Sequence, residues 1–100
     1  MALKQQNTLS GEFSIHPGVT INEIIQKRDI SKKELANRTG FSQKHISKVI
    51  NGKMNISALM AEKLEDVLRI PASFWLNLQR NYDLEVLKFN QLHNVKEKHR

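Results

Sequence analysis

Between Ile30 and Lys53 the chain reads ISKKELANRTGFSQKHISKVINGK, and the spacing of Ala36, Gly40, Ile46 and Val49 within it restricts the fold more than any other feature. Ser31 is placed to cap a helix, with Glu34 three residues on completing a capping box. Leu35 and Ala36 face inward, and Gly40 ends that helix at a position suited to a positive φ. Ser42 then caps a second helix, over about 43–51, whose apolar stripe is Ile46, Val49 and Ile50. Asn51-Gly52 stops it, because both residues tolerate left-handed backbone.

Two helices that cross this closely need a small residue on the first, a tight turn, and one buried stripe on the second. Ala36, Gly40, Ile46 and Val49 meet those needs at the spacing of a helix-turn-helix, over about 31–51. The rest of the chain also reads as helix. Pro17-Gly18 opens a segment in which Ile21, Ile24 and Ile25 recur at helical spacing up to about Arg28, with His16 ordering its start. Ser57 caps a fourth helix with Leu59, Met60, Leu64, Val67 and Leu68, which Pro71 ends. Ser73 is placed to cap a fifth, containing Phe74, Trp75, Leu78, Tyr82 and Leu84 to Leu87. The fold class is therefore all-α with five helices. A polar lead-in covers 1–15, where alternating Phe13 and Ile15 predict a short strand; the domain covers 16–89, and a basic, frayed tail covers 90–100.

The net charge of +6 is concentrated. Residues 27–53 carry eight bases, Lys27, Arg28, Lys32, Lys33, Arg38, Lys44, Lys48 and Lys53, against Asp29 and Glu34 alone. A basic segment coinciding with a helix-turn-helix points to nucleic acid. On a helical wheel, Ile46, Val49 and Ile50 fall on one side of the second helix; Lys44, Ser47, Lys48 and Asn51 face away, with Gln43 and His45 on the flanks. The outward groups donate to purine N7 and O6, and an amide also pairs with adenine. The base-reading candidates are Gln43, Lys44, His45, Ser47 and Lys48. Lys32, Arg38, Ser42, Asn51 and Lys53 are candidates for the DNA backbone, helped by free N–H groups at the two helix starts.

Other chemistry is poorly supported. Cysteine is absent, which excludes disulfides and thiolate metal sites. His16, His45, His93 and His99 share no i, i+3 or i, i+4 spacing, so no metal site is expected. No glycine-rich phosphate loop or nucleophile–base pair marks an enzyme, and no cofactor or small-molecule substrate is implied. No apolar run approaches a membrane span and residues 1–10 lack the apolar stretch of a signal peptide, so the expected location is the cytoplasm, away from membranes. The stripe of Phe74, Trp75, Leu78 and Tyr82 reads as core or as interface. Because pairing two half-sites multiplies affinity, part of this helix is expected at a dimer or partner interface, with Trp75, Leu78, Tyr82, Leu84, Val86 and Leu87 as candidates.

The stretch Ile30 to Lys53 resembles the helix-turn-helix of the XRE-type relatives of lambdoid repressors. That resemblance implies a lambda-repressor-like domain in which Gln43, Lys44 and Lys48 read bases while Lys32, Asn51 and Lys53 contact the backbone or fix the turn. His16-Pro17-Gly18 at the head, and Ile70-Pro71 through Phe74-Trp75-Leu76-Asn77-Leu78-Gln79 to Asn81-Tyr82-Asp83 at the tail, resemble the HigA antitoxin family. Val19 departs from it, standing where many relatives place an acid that would favour the helix N-terminus. The family implies a homodimeric repressor that binds a palindromic operator in its own operon's promoter. It also implies neutralisation of a HigB-type toxin, an mRNA-cleaving ribonuclease of the RelE fold. Some longer regulators open with a near-identical domain and continue into a metallopeptidase-like one. That reading stays open, as do a free-standing phage-type or stress regulator and a module that chiefly sequesters a toxin.

Overall fold

A computed structural model describes residues 15–98 of the chain, with side chains through residue 92. The described residues form five helices and no strand: α1 Pro17–Lys27, α2 Lys32–Thr39, α3 Gln43–Ile50, α4 Ala58–Leu68 and α5 Ala72–Lys98. Phe13, half of the expected short strand, lies outside the described residues; Ile15 is exposed and in no regular structure.

Local chemistry sets most of the helix ends. Ser31, Ser42 and Ser57 each turn a side-chain oxygen to the amide three residues on, at Glu34, His45 and Met60. The capping box at Ser31 is half made, because the Glu34 carboxylate pairs instead with Arg38 at 3.5 Å. His16 caps α1 with an unusual acceptor, its Nδ1, which takes the Gly18 amide at 2.9 Å. Gly40 closes α2 at φ 87°. Two non-glycine residues, Asp29 and Arg69, also adopt left-handed backbone, Arg69 as the cap of α4.

The last helix departs from expectation at both ends. Ser73 lies inside the first turn rather than before it, and the Ala72 amide is taken by the Glu65 carboxylate at 3.0 Å. The helix then runs 27 residues, through the expected frayed tail to Lys98. No glycine or proline follows Pro71, and the tail is rich in Leu, Gln, Lys and Glu, so nothing local stops it.

The core lies where the five helices converge. Ile21 and Ile25 of α1, Leu35 and Ala36 of α2, Ile46, Val49 and Ile50 of α3, and Met60, Ala61, Leu64 and Leu68 of α4 are buried together with Ile56 and Trp75. Trp75 is fully buried (0% exposed), which removes it from the interface candidates: it fills the core of its own chain. Leu78 packs against the same cluster, and the half-buried Tyr82 sets its ring edge-on to His16 at 4.9 Å. Two long-range bonds, invisible to any local pattern, tie the ends together. Arg28 donates to the Leu68 carbonyl at 2.7 Å, joining the end of α1 to the end of α4. Buried Gln79 accepts the Ile56 amide at 2.7 Å and donates to Asp83 at 2.9 Å, fastening the segment after α3 to α5.

Candidate nucleic-acid interface

The placement of α3 follows from its buried side. Ile46, Val49 and Ile50 are buried, and α3 packs against both α1 and α2. At its C-terminal end the approach of α1 is so close that a Cβ on Gly18 would overlap the Val49 carbonyl oxygen and come within 2.8 Å of Ile50 Cα. Only glycine lets the start of α1 reach the end of α3. The opposite side of α3 is thereby held toward solvent, with Gln43, Lys44 and Lys48 exposed and Ser47 and His45 half-buried.

The sequence-derived residues divide around this helix. Ser42, Lys44, His45 and Lys48, together with Met54 from the following loop, line a recess of about 230 Å³. Gln43 and Ser47 lie on the other flank of α3, since residues about 100° apart per step cannot all share one side. The His45 ring lies against Phe41 with centroids 4.7 Å apart, which fixes its position at the edge of the recess. The hydroxyl oxygen of Ser42 accepts the His45 amide and keeps its O–H free to donate, while the earlier amides of that first turn have no acceptor within the helix. Lys32 begins α2, half-buried, and Lys53 is exposed just past α3. Arg38 is exposed on α2 but already paired with Glu34, an ion pair screened by water at both ends.

The end of α3 is a paired turn. Gly52, at φ 78°, donates its amide to Val49 and Lys53 donates to Lys48, so the chain reverses directly after Asn51. That reversal brings Met54, which no motif singled out, beside Lys44 and Lys48. No carboxylate lies on α3 itself, so the charges its outer surface carries, on Lys44 and Lys48, are both positive. Such a surface attracts a polyanion, and its donors match the acceptors displayed in the DNA major groove. Among the described residues no group of three His, Cys, Asp or Glu side chains could hold a metal ion, and no helix is long and apolar enough to cross a membrane.

Residues 21–75 match the helix-turn-helix family model. The chain is 39% identical over 70 residues to Virulence-associated protein A' of Dichelobacter nodosus, covering 69% of this chain and 61% of that relative's length. Among solved structures, one described as an antidote protein of a plasmid maintenance system from Nostoc punctiforme superposes with a TM-score of 0.82 at 31% identity, covering 87% of this chain and 96% of that one. The antitoxin HigA of Pseudomonas aeruginosa, solved with the higBA promoter, superposes with a TM-score of 0.74 at 30% identity, covering 83% and 91%.

Proposed function

Because the chain belongs to the helix-turn-helix family, we propose that it is a sequence-specific DNA-binding repressor acting in the cytoplasm as the antitoxin of a toxin–antitoxin module. On this reading it binds a palindromic operator in its own promoter as a homodimer and neutralises a HigB-type mRNA-cleaving toxin. The observation that carries the DNA part is the outer surface of α3, where exposed Gln43, Lys44 and Lys48 face solvent without a carboxylate among them. The likeness to a HigA antitoxin solved with promoter DNA supports the rest. Gln43, Lys44, His45, Ser47 and Lys48 read bases; Lys32, Arg38, Ser42, Asn51 and Lys53 hold the phosphates. The homodimer uses the outer half of α5, where Leu84 and Leu87 are 44% and 51% exposed and Val86 is half-buried. Leu78 and Tyr82, engaged within their own chain, contribute less.

Binding titrations over a range of salt concentrations test the DNA part. Lys32→Ala weakens operator and random DNA alike and lowers the salt slope by about one. Gln43→Ala weakens the operator and leaves random DNA nearly unchanged. Equal losses on both duplexes for Gln43→Ala would refute base reading by that residue. Co-expression with the neighbouring reading frame tests the toxin part: a short basic ribonuclease is expected to co-purify and to lose its mRNA cleavage.

A further inference from the structure

Among the described residues Met54 is the one apolar side chain lining the recess beside α3; Ser42, Lys44, His45 and Lys48 supply the rest of the wall. It is half-buried, with part of its side chain packed against the core and part facing the recess. The paired turn at Gly52 and Lys53 fixes it there through the backbone, so its place does not depend on a flexible loop. An occupant of this recess must combine a small apolar group with surroundings that suit two ammonium groups. The floor of the major groove carries one apolar group, the C5 methyl of thymine, flanked by base acceptors and phosphates. A bare phosphate fits worse, because Met54 offers an anion no hydrogen bond in return for its lost hydration.

We infer that Met54 is a specificity-determining residue that contacts a thymine methyl, with Lys44 and Lys48 straddling that base. The inference rests on the DNA-reading role proposed above and adds to it a preference that no hydrogen-bonding side chain on α3 supplies. Met54 thereby selects against cytosine, which lacks the methyl, at one position in each half-site.

Duplexes of about 30 base pairs, long enough for two half-sites one turn apart, are selected from a random pool by the full chain. Each thymine of the selected sequence is then replaced in turn by deoxyuridine, which removes the methyl and nothing else. One position per half-site is expected to lose about fourfold in affinity, the loss that goes with one buried methyl. Met54→Ala, which removes the contact in both half-sites at once, lowers affinity for the thymine duplex by about fifteenfold, the square of that factor, and binds the thymine and uracil duplexes equally. Met54→Leu keeps the discrimination. In the wild-type complex the Met54 ε-methyl shows a nuclear Overhauser contact to that thymine methyl, a measurement that requires no variant to fold. The inference is overturned if every uracil duplex binds as the parent does, if the penalty persists in Met54→Ala, or if the ε-methyl contacts only deoxyribose protons. A pool that yields no preferred sequence overturns the base-reading proposal itself, which is a separate result.

Discussion

Replacing Gln79 probes how the segment after α3 is held. Its side-chain oxygen accepts the buried Ile56 amide at 2.7 Å, and its nitrogen donates to Asp83 at 2.9 Å. Gln79→Leu keeps the volume and removes both bonds. The Ile56 amide then sits buried with no acceptor, which costs about 1–3 kcal/mol. The lost bond to Asp83 adds less, because that carboxylate is exposed and water replaces the donor. The sum is about 2–3 kcal/mol, or a fall of roughly 10 °C or more in Tm for a domain of this size. Gln79→Glu separates the two bonds: the acceptor for Ile56 survives, but a carboxylate now faces the Asp83 carboxylate. That variant is destabilised at neutral pH and recovers part of the loss on acidification, as the introduced group takes up a proton. Thermal and urea unfolding give the energies, and amide exchange at Ile56 reports the local bond. A Gln79→Leu protein with unchanged Tm and unchanged Ile56 protection would refute the reasoning.

Three further outcomes are expected. Burial holds the His16 imidazole below its ordinary pKa of 6.5, against raising contributions from Asn55, Asp83 and the Met54 backbone, so the folded chain resists a proton that the unfolded chain accepts. Stability is therefore full above pH 6.5 and falls as the pH drops below it, levelling off beneath the folded value; His16→Asn, which still caps α1, flattens this slope in urea melts at stepped pH. Gly18→Ala sets a methyl against the Val49 carbonyl oxygen and the Ile50 backbone and costs about 2–3 kcal/mol; a melting curve matching wild type would show that the helices can move apart cheaply. Leu87→Lys puts a charge on the proposed dimer surface and shifts the chain to monomer in light scattering with little change in monomer fold, and a dimer that survives both it and Leu84→Lys places the interface elsewhere.

The readable features were those whose cause is local. Serine caps at Ser31, Ser42 and Ser57, the turn glycines and the apolar stripe of α3 all act within four residues, and all are found where the pattern puts them. Trp75 was ambiguous for a physical reason: a buried aromatic has the same helical spacing whether its partner is the chain's own core or another subunit. The start of α5 lies two residues before the place that a Ser73 cap predicts, because its cap, Glu65, comes from the preceding helix instead of from the next residues in sequence. Its end lies beyond the expected one because the polar residues that suggest fraying also favour helix. No local pattern reveals the bonds of Arg28 and Gln79 or the place of Met54, since each takes its meaning from a partner on another element. Gln79 lies within the string that resembles the HigA family, and that resemblance was the one hint available for it.

The length of α5 has a mechanical consequence. Its first third is bolted to the domain through Trp75 and Gln79, and its remainder continues to Lys98 with no glycine or proline at which to bend. A molecule seated on the far part therefore works a stiff arm whose fulcrum is the Gln79–Ile56 bond, a few residues from the turn that ends α3. Tilting that arm would strain the two contacts at its root, the Tyr82 ring on His16 and the Gln79–Ile56 bond, so whatever holds the far part of α5 also acts on the turn that ends α3.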